Sequence, residues 1–380
     1  MRICSGLRAA GRGRQQVALL LAATLGFMTL ALAAKPDRLF DAESVQRLSI
    51  VISSEAMEAL QREPKKPVAA MVLASGRTFT NVALHLKGLG SFQPITEKPS
   101  FSIKFDTNGS GARFLGHSRI LLENSSQDPA FLCRRLCSEI FLRAGIPAAR
   151  VTWATVRLNG RDLGLYTLSE AMNKQFLRRH FTSAEGKLYE GSDFDITENL
   201  EQDSGPPGRA EVQALIAACE EADPTRRWRL LNARLDVDRF ITYAALEVLV
   251  CHHDGYSLDL NNYRLYCDPT TQRFVFIPHG MDLVFDRPTL SLDPEWKGLV
   301  ARAVMGTTDG RRVYRQRVSE LAQQVFANDR LVKRIDALSP LLARSLEPFG
   351  AADLAQFNAS ISSLKSRIKE RARFLLDAQR

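Results

Sequence analysis

Between residues 38 and 122, apolar and polar positions alternate in short runs: RLSIVIS, PVAAMVL, FTNVALHLKG and SFSIKFD. Val, Ile and Phe dominate these runs, and Gly, Pro, Asn and Ser separate them, which predicts β-strands. SSEAMEALQRE (53–63) has helical spacing instead. The loop GLGSFQPITEKP (88–99) joins two of the strands. Asp128-Pro129 then supplies a helix cap and a first-turn proline, and Phe131, Leu132, Leu136, Ile140 and Phe141 recur with helical period, predicting a helix over 128–144. Asn159-Gly160 between two β-rich runs predicts a hairpin over 151–170, and NKQFLRRHF after it reads as a helix.

DFDITENLEQDSGPPGR (193–209) is polar and rich in Pro and Gly, an exposed loop or junction. From 210 onward helices dominate. Asp236 caps the apolar VDRFITYAALEVLVCHH, and the hairpin NNYRLYCDPTTQRFVFIP interrupts the helices with DPTT as its turn. Residues 294–380 are amphipathic and helical. This order predicts an α+β fold with a β-rich part over 35–170 and a mainly helical part over 171–380.

Composition adds little beyond a globular class: 45% hydrophobic and 24% charged residues. The N-terminus changes the picture. Arg2, Arg8, Arg12 and Arg14 precede an uncharged apolar run, 17–34, with Ala31-Leu32-Ala33 near its end. That is the layout of an export signal over 1–34, and the chain is expected to be secreted, periplasmic or held in the cell envelope. A membrane enters only if the segment stays uncleaved as an anchor. Removing it takes four arginines and no acids, so +9 becomes +5, and the rest has no basic run with interleaved aromatics to suggest nucleic-acid binding. Five cysteines remain, with neither CxxC nor zinc spacing, which excludes a disulfide scaffold.

The stretch CHHDGYSLDLNNYRLYCDPTTQRFVFIPHGMD (251–282) sets Asp254, Asn261, Asn262 and Asp282 around a hairpin. Asp254, one of the two asparagines and Asp282 at one end of a hairpin could hold a hard cation and phosphates. On pattern alone ordinary turn chemistry is the better reading, because Asx residues gather wherever strands begin and end. His252 and His253 point about 100° apart on a helix and have no second ligand cluster nearby, which argues against zinc.

Several segments together resemble the spore coat protein H (CotH) kinase family, secreted or coat-associated bacterial proteins with an atypical protein-kinase-like, two-lobed fold. They are NVALHLKGLGS with KPSFSIKFD, LLENSSQDPAFLCRRLCSEIFLRAGIPAARVTWATVRLNGRDLGLYTLSE, GKLYEG, and DGYSLDLNNYRLYCDPTTQRFVFIPHGMDLVF. The resemblance implies that Lys104 contacts ATP phosphates, that Gly88, Gly90 and Ser91 turn over the nucleotide, and that Glu139 pairs with the lysine. It implies Asp254 as catalytic aspartate and Asn262 (or Asn261) with Asp282 as ligands of Mg²⁺ or Mn²⁺. TLSE (167–170) would lead into a hinge that holds adenine. The expected reaction is transfer of the ATP γ-phosphoryl group to Ser or Thr of an exported protein. The chain departs from the family where a Pro-Trp-Asp-x-Asp run becomes Pro278-His279-Gly280-Met281-Asp282. One expected acid is therefore Gly280, and the alternative is a catalytically weak or inactive secreted binding protein. A metal-dependent hydrolase would need a denser carboxylate cluster.

Overall fold

The computed structural model describes residues 37–107 and 109–378. The expected export segment lies outside them. Among the described residues, no helix is long and apolar enough to cross a membrane.

The alternating runs form seven strands: β1 (Val45–Val51), β2 (Val68–Ala74), β3 (Arg77–Lys87), β4 (Ser100–Lys104), β5 (Arg119–Glu123), β6 (Val151–Leu158) and β7 (Arg161–Glu170). They close into a barrel in the order β1-β2-β3-β4-β5-β7-β6, sealed by parallel pairing of β1 with β6. Period-two alternation sends Leu84, Leu86, Phe101 and Ile103 into the barrel core. Lys87, Ser100 and Ser102 therefore emerge on the outer face. At the β6–β7 turn Asn159 and Gly160 both take positive φ, as the Asn-Gly pair requires. The Asn159 amide also clasps the Ile52 backbone through both its oxygen and its nitrogen.

Two helices accompany the barrel, α1 (Ser54–Arg62) and α2 (Cys133–Arg143). The helix expected over 128–144 starts later because Phe131 takes φ +55°, in the left-handed region. Asp128 still serves it at a distance, accepting a hydrogen bond from the Cys133 N–H at 2.8 Å.

The remaining chain runs α3 (Lys174–His180), β8 (Lys187–Gly191), β9 (Glu201–Ser204), α4 (Ala210–Glu220), α5 (Pro224–Arg234), α6 (Val237–Leu249), α7 (Tyr256–Asp259), β10 (Tyr263–Asp268), β11 (Arg273–Pro278), α8 (Leu299–Met305), α9 (Thr308–Phe326), α10 (Arg330–Leu346) and α11 (Ala351–Asp377). The second sheet has the order β11-β10-β8-β9. β9 falls inside the segment expected to be a loop. EQDS carries no apolar alternation, and its place in the sheet comes from backbone pairing with β8. The core helix α6 packs over β11, and Asp236 caps it by accepting from the Arg239 N–H.

A continuous core links α2, α6, the second sheet and the C-terminal helices. The tail is thus part of the fold. Arg371 on α11 is fully buried and donates to four carbonyls: Val248 and Leu249 at the end of α6, and Pro288 and Leu290 beyond Asp282. All five described cysteines are buried free thiols.

Candidate active site

The loop after α6 is built around buried Glu247. Its carboxylate accepts from the Ser257 N–H at 3.1 Å, and its backbone carbonyl accepts from the His252 N–H at 2.8 Å. Gly255 presses on this carboxylate so closely that a Cβ would overlap Glu247 Oε1. His252, fully buried, touches the His279 carbonyl at 3.2 Å, and His253 pairs with Asp286 at 3.0 Å. Neither histidine faces a metal-ligand set.

Asp254 emerges from this loop with both oxygens engaged. Asn262 Nδ2 donates to Oδ2 at 2.6 Å, and Asn261 Nδ2 donates to Oδ1 at 3.1 Å. The Asn261 oxygen in turn accepts from Ser192 Oγ and the Asp193 N–H. The structure therefore brings Asp254, Asn261 and Asn262 together. The next segment passes directly over them: the His279 N–H donates to the Asn262 carbonyl, and Gly280 sits against the Asn262 amide with φ +56°. A Cβ at Gly280 would overlap Asn262 Oδ1. Two residues on, Asp282 accepts from Arg134 Nη2 of α2 at 3.1 Å.

Across the cleft the lysine differs from expectation. Lys104 is exposed at the far end of β4, paired with Arg119 of β5. Glu139 is held by Arg135 at 2.6 Å and by Arg334 at 2.7 Å. The expected Lys104–Glu139 pair is not formed, because Arg135 and Arg334 already hold the carboxylate and Lys104 stays in solvent. The lysine–glutamate pair in the cleft is Lys87–Glu123, Nζ to Oε1 at 2.6 Å, with Glu123 almost fully buried. Burial pushes the Glu123 carboxyl up, but Lys87 and Arg134 together pull it down to about 2. The turn of Gly88, Gly90 and Ser91 follows Lys87 directly, and the Ser91 carbonyl is held by the Asn124 amide at 2.9 Å. Gly88 takes φ +110°, which suits glycine. Sequence reasoning missed Lys87, Glu123 and Arg134. The signal was the alternation of HLKG, which turns Leu86 inward and Lys87 outward beside the glycine turn.

Arg134 is thus ion-paired with Asp282 and adds its charge to the environment of Glu123. Beside it opens a slot lined by Leu121, Val151 and Met172 on one side and Pro278 and Met281 on the other. Ser169 and Glu170, from the expected hinge strand, also line it. Glu170 is buried and held by Arg150 at 3.0 Å and by Arg179.

Among the described residues, no three His, Cys, Asp or Glu side chains form a metal cluster. A hard cation keeps several waters and takes only one or two carboxylates. The donor set is oxygen-rich: Asp254, Asn262 Oδ1 and Asp282. Gly280 packs against Asn262 Oδ1, where a Cβ would overlap it.

Glu247 also gives the site a pH signature. Burial pushes its carboxyl up to about 7, against the hydrogen bond from the Ser257 N–H. A carboxyl raised in the folded state binds its proton more tightly there than in the unfolded chain. Its contribution to stability is full below about pH 4.5 and is lost as pH rises toward 7. Urea unfolding across that window should show a smaller loss of stability for Glu247→Gln than for the wild type. Equal losses in the two proteins would contradict this.

Comparison with known proteins agrees with the family resemblance. A family profile described as CotH kinase protein matches residues 84–375. Inner spore coat protein H of Bacillus subtilis is 21% identical over 291 residues, covering 70% of this chain and 79% of that protein. Invasin CotH3 of Rhizopus delemar is 24% identical over 309 residues, covering 71% of this chain and 50% of the invasin. Invasin CotH2 of the same organism is 21% identical over 338 residues, with 77% and 56% covered. The chain therefore spans only about half the length of the two invasins. Among solved structures, the Helicobacter pylori proinflammatory kinase CtkA aligns with a TM-score of 0.27 and 9% identity, over 73% of this chain and 95% of that one.

Proposed function

Because the chain belongs to the CotH kinase family, we propose that it is an atypical kinase that transfers the ATP γ-phosphoryl group to a Ser or Thr hydroxyl of an exported protein. The barrel would serve as the small lobe and the helical part as the large lobe. The observation that carries this reading is Arg134, which ion-pairs with Asp282 and adds its charge to the surroundings of the Lys87–Glu123 pair.

Phosphoryl transfer needs positioning and charge neutralisation more than covalent chemistry. Lys87, on a rigid strand end and oriented by Glu123, would bind phosphate oxygens with charge-assisted hydrogen bonds. The 169–172 backbone, from the strand expected to lead into the hinge, would lie along the edge of the adenine. Asp254, fixed by two amides, would orient the acceptor hydroxyl and accept its proton. Asn262 Oδ1 and the Asp282 carboxylate would hold Mg²⁺ or Mn²⁺, which when bound neutralises the phosphates. Arg134 would add a fixed cation beside Asp282. The exported substrate follows from the signal-like segment 1–34 alone.

One observation favours a second reading, a binding protein that keeps the fold without the activity. Asp282 is already neutralised by Arg134, and both oxygens of Asp254 are occupied. Calorimetric titration with ATP and Mg²⁺ of Lys87→Met and Lys104→Met separates the possibilities. Loss of one charged hydrogen-bond donor should weaken binding about 10–100-fold in Lys87→Met. Lys104→Met should bind like the wild type. Equal affinity in all three proteins would remove Lys87 from the site.

A further inference from the structure

A second cavity, of about 590 Å³, shares no lining residue with the slot beside Arg134 and adjoins the glycine turn through Asn124, whose amide holds the Ser91 carbonyl. The loop after β5, the start of β7 and the first turns of α11 enclose it, and its volume is typical of small-molecule sites. Lys98 is its centre of charge. The ammonium lies 5.4 Å from the Phe131 ring centroid and 5.2 Å from that of Tyr166. The aromatic rings fix the side chain by cation–π attraction but do not neutralise it. Among the described residues, no hydrogen bond or ion pair is made by Lys98 Nζ. Its backbone N–H is anchored on Gln93 Oε1 at 3.2 Å.

Gly164 leaves the ammonium open on one side. It takes φ +82°, and a side chain there would sit 3.9 Å from Nζ. The acids in the wall do not fill the vacancy. Asp162 is bound to Arg157 at 2.8 Å, and Asp353 acts on Lys98 only from beyond ion-pair distance. Gln356 and Ser126 offer polar contacts, and Phe349 and Phe357 offer apolar ones. A half-buried cation with polar and aromatic walls, and no counter-charge at contact distance, is a site built for an anion with some hydrocarbon body.

We propose that this cavity is a second ligand site, which takes a small organic anion by seating its carboxylate or phosphate group on Lys98. Burial pushes the Lys98 ammonium down to about 8, with Asp353 partly opposing, so a seated anion would stabilise the charged form.

The test is thermal unfolding of the full chain with sodium D-glucuronate or inorganic phosphate, against sodium chloride at matched ionic strength. A ligand specific to the folded state must raise the melting temperature. The expected result is a rise of about 3 °C or more with one of the two anions, lost in Lys98→Met and reduced in Gln356→Ala. The anion that acts distinguishes carboxylate from phosphate. No rise above chloride with either anion, or a rise retained in Lys98→Met, overturns the proposal. Should Lys98→Met fail to fold, reductive methylation of wild-type Lys98, followed by mass spectrometry, gives the same decision. The active anion should slow it several-fold, and an unchanged rate overturns the proposal.

Discussion

Arg371→Ala is expected to lower the unfolding free energy by about 4–5 kcal/mol, measured by urea denaturation at neutral pH. The magnitude follows from what the guanidinium holds. Arg371 is fully buried and donates to the carbonyls of Val248, Leu249, Pro288 and Leu290. Alanine leaves those oxygens without donors in a dry interior and opens a void beside them. The first two carbonyls end the helix from which Asp254 departs, and the other two lie just beyond Asp282. Nucleotide binding should therefore weaken at denaturant concentrations where the barrel is still folded. Arg371→Lys, which keeps the charge but loses the planar fork of donors, should recover only part of the stability. A loss below about 1 kcal/mol for the alanine variant, which is what a surface arginine would give, contradicts the assignment.

Gly280→Asp, which restores the acid that the family pattern places there, should damage the protein instead of improving it. The backbone at 280 has φ +56°, where a β-carbon costs energy. That carbon would also overlap the Asn262 amide. Asn262 is held to Asp254 by two hydrogen bonds, 2.6 Å to the carboxylate and 2.9 Å to the carbonyl, so it cannot give way freely. Strain and overpacking together should cost about 2–4 kcal/mol, and metal-dependent nucleotide binding should fall at least tenfold. A variant that binds metal more tightly than the wild type, with unchanged stability, would mean that the site tolerates the second acid.

The elements set by local pattern were legible in the sequence. The alternating runs became strands of the barrel, Asn159-Gly160 made its turn, and Asp254, Asn261 and Asn262 lie together where one loop carries all three. Asp282 follows β11, which returns along β10, and its partner Arg134 on α2 was not legible. The lysine was not legible in the same way. Lys87 and Lys104 both end strands and both alternate outward from apolar neighbours. Only closure of the barrel decides which of them faces α2, and closure depends on the parallel pairing of β1 with β6, more than a hundred residues apart. Buried charges were hidden for a related reason. Arg134, Glu247 and Arg371 stand on helices whose apolar stripes mark one buried face. Burial of the polar positions beside those stripes is imposed by tertiary partners that periodicity does not report. β9 was missed because EQDS has no strand-like composition.

The central claim is that a metal-bound nucleotide occupies the cleft between Lys87 and Asp282. Its most direct test is the melting temperature of the purified protein titrated with ATP, with and without Mg²⁺ or Mn²⁺. Binding to the folded state at about a hundred times the dissociation constant adds about 2.7 kcal/mol. The account predicts a rise of several degrees with ATP and metal together, a smaller rise with ATP alone, and loss of the metal-dependent part in Asp282→Ala. No rise with millimolar ATP in the presence of either metal would contradict the kinase reading and leave the fold as a binding scaffold.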